Sequence, residues 1–173
     1  MTAYAVEDLV SEALSEGVYG VMYKPLDIMK VVEFIERVKE GGFILIVDDD
    51  MSTCQSLLDV LVLKGFHVAK ANTGEEAINI TRKNNIDIVF IDVKMPVMNG
   101  LETYLALRKA KPGIKAIMMT AYRQKVQDLV KEALNKNAYT CIYKPFEISN
   151  IIMIIEGIQA GKTKSEIQQA MVN

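Results

Sequence analysis

Residues 43–50 read FILIVDDD, an apolar run that stops abruptly at three carboxylates. Such a run has no alternation between a wet and a dry face, so it describes a strand buried on both sides, as in a parallel sheet. IDIVFID at 86–92 and IKAIMMT at 114–120 have the same character. Parallel neighbours cannot be joined by tight turns; they need crossover connections, usually helices.

Helical patterns lie where those crossovers must run. In MSTCQSLLDVLVLKGF, Leu57, Leu58, Leu61 and Leu63 fall at helical spacing, and Thr73-Gly-Glu-Glu76 is a capping box ahead of EEAINITRKN. Asn99 to Ala110 and Gln124 to Asn137 read as two further helices with charged outer faces. Ser149 to Ile158 is apolar nearly all round and must pack hard against a sheet or a partner. With strands near 43–47, 67–71, 86–91, 115–120 and 140–143, the pattern predicts an α/β fold with a five-stranded parallel sheet. Ligands of such sheets bind beyond the carboxyl ends of the strands.

Those ends carry unusual chemistry. The first run ends in Asp48-Asp49-Asp50, the third strand in Asp92, the fourth in Thr120 and the fifth in Lys144-Pro145. Carboxylates converging on one rim repel one another unless a cation lies among them, and hard oxygen donors favour magnesium, or manganese, over zinc. A lysine and a hydroxyl on the same rim suit a phosphoryl group. The set therefore fits an aspartyl phosphate beside a divalent metal. Singly, each residue has a plainer reading: Asp50 as a helix N-cap, Thr120 as structural, Lys144 as a solvated lysine. Asp87 and Asp128 read as solvated or capping charges, and His67 as an ordinary sheet residue.

IVDDDMS, FIDVKMPVMNG, MMTAY and YKPFE, in this order and spacing, resemble the receiver domain of two-component response regulators over about 43–160. The resemblance implies a doubly wound, flavodoxin-like fold with helices on both faces of the sheet. It implies that Asp92 accepts a phosphoryl group from a histidine kinase or phosphotransfer protein. Asp48, Asp49, Asp92 and the backbone carbonyl of Lys94 would hold magnesium, Thr120 would reposition onto the phosphate, and Lys144 would pair with it. Ala121 is small enough to leave the phosphate accessible, and Lys94 and Tyr122 occupy the positions that tune its lifetime. One departure is Cys141, which stands where receivers usually carry an aromatic switch residue, with Tyr139 and Tyr143 nearby.

The chain also repeats itself. MTAY at 1–4 returns at 119–122, DLVSEAL at 8–14 as DLVKEAL at 128–134, and MYKPLDI at 22–28 as IYKPFEI at 142–148. Residues 1–40 thus match the closing half of the unit, with Thr2 and Lys24 in place of Thr120 and Lys144 but no acidic cluster before them. Gly41-Gly42 reads as the hinge. Two explanations stand: the closing end of an upstream unit cut by the choice of start, or a segment that replaces 119–160 by domain swapping and favours a homodimer.

Other classes fit less well. Asp48 to Ser52 matches the nucleophile motif of haloacid-dehalogenase-like phosphatases, but Pro145-Phe146-Glu147 stands where that family needs an acidic pair. Gly157 to Thr163 has three residues between its glycines where a phosphate-binding loop needs four. An unphosphorylated scaffold is at odds with a complete acidic set. Cys54 and Cys141, with His67 as the single histidine, cannot assemble a four-ligand zinc site and read as free thiols. A net charge of −2 with mixed signs gives no basic face for nucleic acid or membrane, and no leader or membrane-length apolar run is evident, so the cytoplasm is the expected location. Residues 161–173 read as a polar tail or the start of a helix. The kinase is expected to be another protein, and the output to be a binding partner or a region missing from this chain.

Overall fold

The structure, a computed structural model, describes residues 42–122 and 125–172. The repeat at 1–40 and the expected helix start at Gln124 lie outside them.

Five strands alternate with helices: β1 Phe43–Val47, α1 Met51–Leu63, β2 Val68–Ala71, α2 Gly74–Lys83, β3 Ile86–Asp92, α3 Gly100–Ala110, β4 Lys115–Thr120, α4 Gln127–Asn135, β5 Thr140–Tyr143, α5 Ile148–Gln159 and α6 Lys164–Val172. The sheet order is β2-β1-β3-β4-β5, parallel at every pairing. This is the doubly wound order whose switch point falls between β1 and β3.

The two-residue period of the strands divides the core into two layers. Leu45, Val47, Val89 and Ile91 face α2, α3 and α4, where they meet Ala77, Tyr104, Leu107, Val130 and Ala133. Ile44, Ile46, Ile88 and Phe90 face α1, α5 and α6, where they meet Leu57, Leu61, Ile151, Ile154 and Ile167. Each fully buried aliphatic side chain contributes about 1.5–3 kcal/mol, so the unbroken apolar runs are what hold both layers to the sheet.

Local chemistry sets the ends of the helices. Asn99 and Glu102 form a reciprocal capping box on α3. At α2, Thr73 accepts from the Glu76 N–H at 3.1 Å, but the Glu76 carboxylate reaches back to the N–H of Asn72 rather than to the cap residue itself.

Four sequence expectations are refined. Leu63 is 86% exposed, because it lies two residues beyond Leu61 and so on the far side of the helix from the buried stripe. Asp87 is more than a solvated charge: it accepts the N–H of Phe43 at 3.1 Å and pairs with Lys111 at 2.7 Å, fastening the start of β1. His67 lies one residue before β2 and stacks on Phe43 with 3.6 Å between ring centroids. Of the two readings for 161–173, the helix holds over 164–172, with Ile167 2% exposed against α5.

Candidate functional site

The carboxyl ends of β1, β3, β4 and β5 meet at one rim, and the ladder fixes their heights. Asp92 is the last residue of β3 and pairs in register with Met119, while Thr120 pairs with Tyr143. Lys144 continues from β5 by donating its backbone N–H to the carbonyl of Thr120 at 2.8 Å. The lysine side chain is thereby launched from the sheet edge towards β3 and β1.

Its ammonium lies between two buried carboxylates. Lys144 Nζ is 2.5 Å from Asp48 Oδ2 and 2.7 Å from Asp92 Oδ1. Asp48 is 1% and Asp92 7% exposed. The other carboxylate oxygens are also held: Asp48 Oδ1 accepts from the N–H of Asp50 at 3.0 Å, and Asp92 Oδ2 from the N–H of Lys94 at 2.7 Å. Burial pushes the Asp48 carboxyl above its ordinary value, an effect that the Lys144 ammonium and the Asp50 N–H only partly offset. Burial acts on Lys144 in the opposite direction, yet its hydrogen bonds to Asp48 and Asp92 and their charges outweigh that, so its pKa is raised.

Two carboxylates against one ammonium leave a residual negative charge in a shielded cleft. That imbalance and the all-oxygen donor set fit a hard divalent cation. Asp49 is exposed, and among the described residues no three acidic, imidazole or thiol side chains are grouped closely enough to hold an ion. Magnesium does not need such a cage, because it keeps most of its waters and is commonly held by one or two carboxylates together with a phosphate.

Of the residues singled out in the sequence, the structure brings together Asp48, Asp92 and Lys144. Thr120 is fully buried beside them, its Oγ accepting the N–H of Tyr122 at 3.0 Å. Asp50 is the N-cap of α1, accepting from Ser52 N–H and Thr53 Oγ1, each at 2.9 Å; the Thr53 hydroxyl, with the Ser52 amide, lowers its pKa. Lys94 holds Asp92 by its amide and places its ammonium 4.7 Å from the centre of the Tyr122 ring, a cation–π contact over the rim.

Cys141, at the position where an aromatic was expected, is half buried against the layer that includes α4, and burial raises its thiol pKa to about 11. Tyr139 is 8% exposed and donates its hydroxyl to the carbonyl of Lys162 at 2.8 Å, while Tyr143 is 37% exposed.

Sequence reasoning overlooked Gly100. A Cβ there would stand 2.2 Å from the carbonyl oxygen of Asp92, so only glycine lets α3 start so close to the end of β3. The signal was present in Asn99-Gly100, a helix cap followed at once by the residue that permits the approach.

A doubly wound parallel sheet with a buried lysine-bridged carboxylate pair at its switch point belongs to the class of α/β proteins that present their polar site at the carboxyl ends of the strands. Residues 44–156 match the family model described as the response regulator receiver domain. Chemotaxis protein CheY of Thermotoga maritima is 35% identical over 113 residues, covering 65% of this chain and 92% of that protein. Sporulation initiation phosphotransferase F of Bacillus subtilis is 34% identical, with 62% and 86% covered. The chain spans about a quarter of the transcriptional regulatory proteins it matches, such as ZraR of Escherichia coli at 37% identity. Among solved structures, a CheY-like receiver domain protein from Methanospirillum hungatei superposes with a TM-score of 0.65 at 28% identity, covering 75% of this chain and 98% of the other. The chain belongs to the response regulator receiver family of two-component signal transduction. Receiver domains are signalling domains rather than enzymes in the usual sense, and the family typically binds magnesium at its phosphorylation site.

Proposed function

We propose that Asp92 is the phosphoacceptor and that this chain relays phosphoryl groups from a phosphohistidine on a kinase or phosphotransfer protein. The observation that carries the reading is the Lys144 bridge between Asp92 and the more deeply buried Asp48.

A carboxylate oxygen of Asp92 attacks phosphorus in line with the phosphohistidine nitrogen. The new P–O bond forms as the P–N bond breaks, and the departing imidazole keeps the bonding pair and takes up a proton. Lys144 is already within reach and offsets the charge on the transferred oxygens. The Lys94 N–H keeps the acceptor carboxylate oriented. A magnesium ion held by Asp48, Asp49, Asp92 and the Lys94 carbonyl, or manganese in its place, would supply electrostatic stabilisation of the phosphoryl oxygens. Thr120, at the end of β4, would reposition and donate its hydroxyl proton, which the bond accepted from the Tyr122 N–H leaves unused, to the phosphate. Water attacking the acyl phosphate would regenerate the carboxylate, so the signal is self-limiting.

Next to the lysine lies a groove of about 450 Å³ lined by Ser52, Thr53, Leu57, Lys144, Pro145 and Phe146. Its apolar floor beside the acceptor is suited to a helix that carries the donor histidine. A cytoplasmic setting fits a kinase as donor. Among the described residues, no helix is long and apolar enough to cross a membrane. The phosphatase reading is weaker because Asp50, which would be its second carboxylate, already caps α1.

Intact-mass measurement after incubation with acetyl phosphate and magnesium tests the proposal. One added phosphoryl group is expected on the parent and none on Asp92→Asn or on a chelated control. A folded parent that stays unmodified would overturn it.

A further inference from the structure

Asp48 stands one residue beyond β1, where the sheet ladder gives out. Its N–H makes a last rung to the Ala71 carbonyl at 3.2 Å. Its own carbonyl is taken by side chains instead: Asn72 Nδ2 donates to it at 3.0 Å and the Cys54 thiol at 3.4 Å. A thiol is a weak donor, and this one also points to the Ala71 carbonyl, at 3.7 Å. Asn72 therefore carries most of the hold on the peptide unit that follows Asp48.

Asn72 is itself fixed. It directly follows the last residue of β2, and its N–H donates at 2.7 Å to the carboxylate of Glu76 in the first turn of α2. Only the NH2 side of its amide can face the Asp48 carbonyl, because an oxygen in that place would be repelled.

The carboxylate of Asp48 has bonds that run elsewhere, from Oδ1 to the Asp50 N–H and from Oδ2 to Lys144. These orient the side chain, but they do not set the height of the backbone above the sheet. Without the asparagine donor, a part-buried carbonyl keeps only the weak thiol. An unmade bond at such a group is costly, so the peptide turns towards water and carries the carboxylate away from Lys144 and the Asp50 N–H.

We propose that Asn72 is a positioning residue for Asp48, holding the end of β1 at the height where the Asp48 carboxylate meets Lys144. A line of contacts then runs from the first turn of α2 through Glu76, Asn72 and Asp48 to Lys144 and Asp92. Groups that orient a metal-ligating side chain in this way typically change metal affinity about 10–100-fold when removed.

Amide exchange followed by NMR in metal-free buffer tests the positioning without using the phosphoryl chemistry. Asn72→Asp keeps the shape of the side chain and removes the donor; Asn72→Ala, smaller and uncharged, decides the matter where the aspartate unfolds the loop. The Asp50 amide, which reports its bond to Asp48 Oδ1, is expected to exchange about tenfold faster or more in these variants. Thr73→Ala is the control for the loop as a whole. It removes the acceptor of the Glu76 N–H and leaves the Asn72 amide in place, so it is expected to lower the urea midpoint and keep the Asp50 exchange of the parent. Parent-like Asp50 exchange in both Asn72 variants, or equal acceleration in Thr73→Ala, would overturn the proposal.

The second arm rests on the proposed phosphoacceptor site. Magnesium is titrated by calorimetry, and again through the rate of phosphorylation by acetyl phosphate. In Asn72→Ala the half-saturating magnesium concentration is expected to rise about tenfold, with a smaller change in the rate at saturating magnesium, a split that a loss of loop stability alone does not produce. An unchanged half-saturation, against a parent that binds magnesium, counts against the positioning role. A parent that neither binds magnesium nor is phosphorylated counts against the site reading alone, and the Asp50 exchange still decides.

Discussion

Lys144 holds two carboxylates with a single ammonium, and the side chain is only 21% exposed. Replacing it with methionine leaves Asp48 and Asp92 facing each other without a cation. Breaking a buried pair costs about 3–5 kcal/mol, and partial exposure reduces the expected loss to roughly 1–3 kcal/mol in metal-free buffer. Urea unfolding of Lys144→Met with and without magnesium checks this: a magnesium-dependent recovery larger than that of the parent is expected, and equal responses would argue against shared compensation. The sign of the pH effect follows from the raised Lys144 pKa. Stability from this lysine is complete below its ordinary value of 10.5 and is lost as pH rises through the raised folded value. The thiols provide an independent reading of burial. Desolvation first, then the Asp48 charge, raises Cys54 to about 12, and desolvation raises Cys141 to about 11, from an ordinary 9.0. At pH 8 the thiolate fraction of Cys141 is then about a hundredfold below that of the unfolded chain. Iodoacetamide labelling followed by peptide mapping is expected to modify Cys141 before Cys54, both far more slowly than in urea.

The elements around the acceptor are set by close approach as much as by burial. Gly100 opens α3 against the Asp92 carbonyl, and Asn99 and Glu102 cap the same turn. Gly100→Ala forces a methyl group into backbone 2.2 Å away, which cannot rotate aside as a side chain would. A loss of about 1–3 kcal/mol is expected from the overpacking, together with slower phosphorylation, because the helix start and the Lys94 amide that orients Asp92 belong to one loop. A variant that unfolds like the parent would show that α3 can recede freely. This is also where the sequence was least explicit. The apolar runs announced the strands, and the acidic residues announced the rim, since both signals are local. The approach of α3 to β3, the second role of Asp87 and the outward turn of Leu63 depend on how one element meets another. Hydrophobic spacing alone does not carry that information.

At the scale of the whole molecule, both faces of the sheet are covered, but they differ in how they are closed. One layer is completed by α3 and α4 and tied across by Tyr104, whose hydroxyl donates to the Lys136 carbonyl at 2.7 Å. The other depends on α5 with α6 laid against it. That last helix was hardest to read in the sequence, because GKTKSEIQQAMVN is mostly polar and commits one described side chain, Ile167, to the core. Its docking is decided by a residue on α5, the absence of a side chain at Gly157. Ile167→Ala removes the anchor and leaves a cavity under α6; a cost of about 2–4 kcal/mol is expected for a side chain buried to 2% exposure. If α6 unfolds with the rest of the domain, the urea midpoint falls while the slope of the transition is kept. If α6 were a loosely attached extension, the midpoint would move by less than about 0.5 kcal/mol equivalent, within the range of ordinary surface substitutions. A large shift therefore places α6 inside the cooperative unit that carries the acceptor site. In that case packing at the C-terminal end bears on a carboxylate pair at the opposite end of the strands, because Lys144 reaches that pair from the loop between β5 and α5.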